Sequence, residues 1–249
     1  MVNRIRNYLN SIPGMGEIVL LGISGSRAYD LNVKGSNTNI MGIVANTSND
    51  LLLGQDFKEF EDVHIHIYSL SEAFNLLLQG DMKVLELLFL KKYLYVGKYG
   101  QLLIDNRDLF LTKKVYKSIN QDVGGYSTDF VGYLRKDKDR ANKNAMHIVR
   151  LCNVGIELFN TGKLNVTRRQ DKKLLLSIRD GSYEGNLDYL IYDKMNELDE
   201  SYINTNLPNE CDYEKVNKLK KDINLDIIVN GELNGRLRTT ELRLNTTHA

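Results

Sequence analysis

The chain has almost no net charge, few prolines and cysteines, and no long apolar run. Lys and Arg number 33 against 32 Asp and Glu, a net charge of +1 over 249 residues. No global field therefore selects for or against a polyanion, and only a local basic patch can do so. The two cysteines, Cys152 and Cys211, form no metal-type spacing and read as reduced thiols of an intracellular protein. No stretch approaches the roughly 20 apolar residues of a membrane span, and MVNRIRNYLNSIPG lacks the apolar core of a signal peptide. The expectation is a soluble, cytoplasmic protein without a membrane partner. With only 2 prolines and no repeat or low-complexity run, no linker is marked along the chain.

What is present is an ordinary globular balance, 42% hydrophobic and 26% charged residues, at a length that buries a full core as one large domain or two modest ones. Residues 2–12 read as a short amphipathic helix carrying Ile5, Leu9 and Ile12, stopped by Pro13-Gly14. EIVLLGIS (17–24) is a compact apolar run suited to a buried strand, GSRAYDLN starts a short helix, and NIMGIVA (39–45) reads as the next strand. DVHIHIYSL (62–70) alternates strictly, which predicts one strand with Val63, Ile65 and Ile67 on its buried face and His64, His66 and Tyr68 opposite. The period then turns helical in SLSEAFNLLLQG and MKVLELLFL, and KYLYVG is a short strand or a loop. Helices are predicted over 113–138, 139–160, 170–178, 185–204 and 212–222, with no strand after about residue 112. The tail GELNGRLRTTELRLNTTHA reads as a helix-and-tail cap or a partly disordered end. The period change divides the chain into a mixed α/β part, 1–112, and a helical part, 113–249.

ISGSRAYDLNVKGSNTNI is the segment that carries chemistry. A strand ending in Gly25-Ser26 where a helix begins offers free backbone N–H groups, a helix-dipole end and a hydroxyl, all suited to a phosphate. About ten residues on, Asn37 and Asn39 flank Thr38 at the head of a strand, where i and i+2 point the same way, toward that turn. A pair of aspartates so placed would hold two magnesium ions against a triphosphate.

Hydrophobic-Gly-Ser, a gap of about ten residues, then two acids one residue apart is the mark of nucleotidyltransferases of the DNA polymerase β superfamily. The longer string GSRAYDLNVKGSNTNIMGI resembles one bacterial and phage branch, whose motif runs roughly GSRAYGLNTPDSDIDIRG. IYSLSEAFNLLLQGDMKVLELLF and NKNAMHIVRLCNVGIELFNTGKLNV are similar to two later segments of that branch, so the likeness spans about residues 17–212. The resemblance implies an α+β fold, a polymerase β-like domain of mixed sheet and flanking helices followed by an all-helical domain. It implies magnesium-dependent transfer of NMP from an NTP to an acceptor hydroxyl, on a nucleic acid 3′ end (RNA or tRNA), a protein or a small molecule.

This chain departs from the family at the metal ligands: Asn37 and Asn39 stand where the family has aspartates. Each amide removes one negative charge and leaves a poor ligand for a hard dication. Magnesium binding is expected to be severely weakened and the chain nearly inactive. Three readings stay open: an engineered inactive variant, suggested by the paired isosteric change; a natural pseudoenzyme that binds nucleotide or nucleic acid as a regulator or decoy; and an ordinary strand edge without a metal role.

Gly25, Ser26 and Ser36 are candidate nucleotide contacts, and Arg27, just after the turn, reads as a phosphate partner or a surface salt bridge. The third metal ligand of such sites comes from a neighbouring strand, here DVHIHIYSL, which offers Asp62 at its start and His64 and His66 as ligands or proton carriers. Helical spacing puts Lys143, His147 and Arg150 on one stripe, a second phosphate- or acceptor-binding surface. Arg168 and Arg169 with Lys172 and Lys173 form a basic cluster suited to a nucleic-acid backbone, or a plain helix-start surface. Glu86, within VLELLF, is expected to anchor Arg27 or another basic side chain.

Overall fold

The computed structural model describes residues 7–8, 16–54 and 59–245. The helix expected over 2–12 lies outside them apart from Asn7 and Tyr8, which are helical. The chain runs β1 (Ile18–Ser24), α1 (Ser26–Tyr29), β2 (Asn39–Val44), α2 (Ser48–Leu53), β3 (Glu59–Asp62), β4 (Ile65–Ser69), α3 (Leu70–Leu78), α4 (Met82–Leu88), β5 (Tyr93–Val96) and α5 (Lys98–Asp105). After a 3₁₀ turn at Arg107–Phe110 come α6 (Val115–Tyr133), α7 (Lys138–Thr161), α8 (Lys172–Asp180), α9 (Leu187–Asn204) and α10 (Tyr213–Asn245). The fold is α+β, in keeping with what the resemblance implied: a five-stranded mixed sheet with flanking helices, followed by helices alone.

Strand order is β3-β4-β2-β1-β5, with β2 and β4 parallel and the other neighbours antiparallel. Helices cover one face of the sheet. Val19, Leu20, Ile43 and Tyr68 on that face join one apolar cluster that continues through Phe74 and Leu85 to Ile148, Leu198 and Ile223 in the helical half. Burying each large aliphatic side chain there contributes roughly 1.5–3 kcal/mol. That continuous core makes α7 a wall shared by both halves. Ile18, Leu21, Ile40, Val44 and Ile67 form a smaller cluster on the opposite face.

Two sequence expectations change here. DVHIHIYSL is not one strand: β3 ends at Asp62, Val63 and His64 make a two-residue turn, and β4 begins at Ile65, with Asp62 paired to Ile65. Val63, expected in the core, is 83% exposed. A two-residue turn preserves an alternation of period two, so the pattern reads straight through it. Helix α2 went unread although Thr47 and Asp50 form a reciprocal capping box. KYLYVG supplies β5, and α10 extends far beyond 222 through most of the tail.

Candidate functional site

β1 delivers its last residue, Ser24, opposite Asn39 at the start of β2. Between them the backbone reverses at Gly25, with φ 69° and ψ −148°, a combination open essentially to glycine alone. Helix α1 is a single turn of four residues, too short to supply the helix dipole that the sequence suggested. What remains at the turn is a side-chain-free backbone at Gly25 and the Ser26 hydroxyl. Asp30 closes it in the left-handed region at φ 62°. The returning loop is pinned from below: Arg27 donates from Nε to the Asn37 carbonyl at 3.2 Å and from Nη2 to the Ser36 carbonyl at 3.0 Å. The Val33 N–H donates to Ser36 Oγ at 2.9 Å.

A cleft of about 390 Å³ opens above this loop. Gly25, Ser26, Ser36, Asn37 and Asn39 form one wall, and Lys143, His147, Tyr126 and Arg179 from the helical half form the other. The structure thus joins most of the sequence-selected residues in one place. Arg27, Asp62, His64, His66 and Arg150 do not line it. Arg27 instead holds the loop that carries the asparagines.

The β2–β4 register sets Ile40 beside Ile65, which brings His64 beside Asn39. His64 Nδ1 lies 3.2 Å from Asn39 Oδ1. His66 is bonded to Glu59 at 2.9 Å, and Asp62 accepts the Tyr8 hydroxyl at 2.8 Å and its neighbour's N–H at Val63. The Val63 and Tyr8 bonds hold the Asp62 carboxyl below its usual range. The donors beside the cleft are therefore two amides and an imidazole. Among the described residues no group of three or more His, Cys, Asp or Glu side chains is placed to hold a metal ion. This set is a poor fit to the magnesium pair that the resemblance implied, because neutral amide oxygens leave the charge of two hard dications unbalanced.

Beneath the cleft lies a charged buttress. Arg150, expected on an accessible polar stripe, is only 3% exposed. Its Nη1 meets Glu86 Oε1 at 2.6 Å, its guanidinium stacks 3.8 Å from the Tyr29 ring centre, and the Tyr29 hydroxyl donates to Glu86 Oε2 at 2.7 Å. Burial works against the Arg150 charge, but Tyr29 and Glu86 outweigh it and its pKa is raised. Glu86 does anchor a basic side chain, and that side chain is Arg150. The triad ties α1, α4 and α7 together and fixes the cleft floor.

His147 keeps its place on the cleft, stacked on Tyr126 with ring centres 4.9 Å apart. Burial, then the charges of Arg150, Lys143 and Arg179, push its pKa down to about 3, so the ring is neutral. Its Nδ1 has no hydrogen-bond partner.

The basic cluster near residue 170 divides. Arg168 is buried in ion pairs with Glu157 at 2.7 Å and Asp171 at 2.9 Å, and Lys172 pairs with Asp30 at 2.7 Å. Arg169 stays exposed and lines a second groove with Arg27, Lys91, Lys92 and Asp30, adjoining α1. Sequence reasoning missed Arg179 and Tyr126 on the cleft, because nothing local to them signals a site, and it passed over Lys34 although that residue lies within the segment singled out. Cys152 and Cys211 are buried free thiols, and burial pushes Cys152 up to about 12, which makes it unreactive. No helix among the described residues is long and apolar enough to cross a membrane.

A family model described as RlaP, RNA repair pathway DNA polymerase beta family, matches residues 2–216. No curated protein matches the chain.

Proposed function

The chain belongs to the RNA repair pathway DNA polymerase beta family, and from its nucleotidyltransferase character we propose a nucleotide-binding protein whose transfer chemistry is nearly switched off. The nucleoside triphosphate lies in the cleft between the Gly25–Ser26 turn and α7. The observation that carries this reading is the convergence of Gly25, Ser26, Asn37 and Asn39 with Lys143 and His147 around one cavity, although α7 lies more than a hundred residues downstream.

The family reaction would break the bond between the α- and β-phosphates, join an acceptor oxygen to the α-phosphorus, and release pyrophosphate and the acceptor's proton. In this chain the glycine turn lets the phosphates approach the backbone, Ser26 and Ser36 offer hydroxyls, and Lys143 offers positive charge. Of the histidines singled out, His64 touches Asn39 and is placed to take a proton, whereas His66 is held by Glu59. Charge neutralisation on the α-phosphate is the missing contribution, because both anionic ligands are amides. We take the acceptor to be RNA, in keeping with the family description and with the cations of the second groove.

The test restores Asn37→Asp and Asn39→Asp and incubates both chains with labelled NTPs, magnesium and a short RNA. Labelled RNA from the restored chain alone is the expected result. NTP binding by the present chain with no transfer by the restored one would favour a binding-only regulator. Absence of NTP binding in both chains would overturn the nucleotide reading.

A further inference from the structure

With two neutral amides at its metal-ligand positions, the cleft has a one-sided charge. Lys34, Lys143 and Arg179 line it, and no carboxylate stands among the described residues that do. We infer that the cleft takes the polyphosphate of a nucleoside triphosphate free of divalent cation, and that magnesium weakens this binding instead of supporting it. The inference rests on the nucleotide reading above and gives its ligand a charge state.

In a site with two aspartates, the ions act as the bridge between anionic protein and anionic phosphate, so the metal complex is the form that binds. Here Asn37 and Asn39 offer only neutral oxygens, and Asn39 already meets His64 at 3.2 Å. The phosphates therefore face lysine and arginine directly. A dication on the triphosphate cancels charge that these side chains would bind, and it carries positive charge into a cleft that is already positive.

His147 shares this wall: it is 9% exposed, lines the cleft, and its buried Nδ1 has no hydrogen-bond partner among the described residues. That atom is closed off from solvent, so the ring packs the wall and supplies no ligand contact of its own. Neutral imidazole adds no charge to the count, so the cationic balance is set by Lys34, Lys143 and Arg179.

The four ribonucleoside triphosphates are titrated calorimetrically into the full chain, once in EDTA and once in millimolar magnesium. The expected Kd is lower in EDTA by about fivefold to tenfold, the scale of a double charge change near partly solvated cations. Inorganic tripolyphosphate is expected to compete in EDTA, which separates phosphate recognition from base recognition. The double variant Lys143→Ala/Arg179→Ala, at positions that are not buried, is expected to lose about tenfold in EDTA with an unchanged Tm. Asn37→Asp/Asn39→Asp is expected to reverse the preference. Binding equal to or tighter with magnesium in the present chain would overturn the inference and leave the nucleotide reading intact. An aspartate variant that still prefers EDTA would overturn the role given to the amides. No binding in either buffer would overturn the nucleotide reading itself.

Discussion

Replacing Glu86 by leucine removes the carboxylate that is Arg150's ion-pair partner among the described residues. The side chains of the pair are 4% and 11% exposed, so water cannot take over the partnership. Stranding a buried guanidinium in this way costs about 3–5 kcal/mol, and the Tyr29 hydroxyl loses its acceptor for about 1 kcal/mol more. The converse change, Arg150→Met, is expected to cost only about 2–3 kcal/mol. Glu86 then keeps the Tyr29 hydrogen bond, and it can take up a proton where Arg150 cannot lose one. The combined variant Glu86→Leu/Arg150→Met buries no charge and should be more stable than Glu86→Leu alone by about 2 kcal/mol. Urea unfolding of the four chains, with equal m-values, reads these differences directly. A cost below about 1 kcal/mol for Glu86→Leu, or strict additivity of the two single changes, would show that the triad is not a desolvated unit. In that case the account of the cleft floor would be wrong.

Other perturbations probe separate features. His147 is neutral in the folded chain with a pKa near 3, against 6.5 for a free ring, so the unfolded chain binds the proton first as pH falls. Its contribution is whole above about pH 6.5 and is lost steadily below it, about 2 kcal/mol by pH 5; His147→Gln should flatten that part of a stability–pH curve, and an unchanged slope would refute the assignment. Gly25→Ala forces a Cβ into a conformation at φ 69°, and is expected to cost about 1–3 kcal/mol and to abolish measurable NTP binding; a variant that binds normally would exclude the turn from the site. Lys91→Ala/Lys92→Ala/Arg169→Ala should weaken binding of single-stranded RNA and reduce the slope of log K against log salt by about 2. An unaltered slope would place the RNA elsewhere.

Much of the sheet and half of the cleft were legible because their signals are local. IVLLGIS is apolar enough to be a central strand, and the spacing from Gly25-Ser26 to Asn37 and Asn39 survives intact into the folded site. Lys143 and His147 were legible as neighbours on one helix face. Arg150, on the same stripe, was not: its burial depends on a carboxylate 64 residues earlier, and no periodicity reports that. Arg168 was read as part of a basic cluster although its partners, Glu157 and Asp171, lie close by in sequence: composition shows the charges but not which of them pair in a buried site. The turn at Val63–His64 escaped because it keeps the alternation that defines a strand, yet that turn is what sets His64 against Asn39.

The reach of Arg150 back to Glu86 also orders events during synthesis. The β3–β4 hairpin pairs residues close in sequence and can form as soon as they emerge. The cleft's second wall is incomplete until α7 and α8 have been made and docked, and Glu86 lacks its Arg150 partner until α7 has. The nucleotide pocket is therefore complete only once Arg179 of α8 has been made, and a nascent chain shorter than that lacks part of its ligand site. Once complete, each bound triphosphate pulls the folding equilibrium toward the assembled form by mass action.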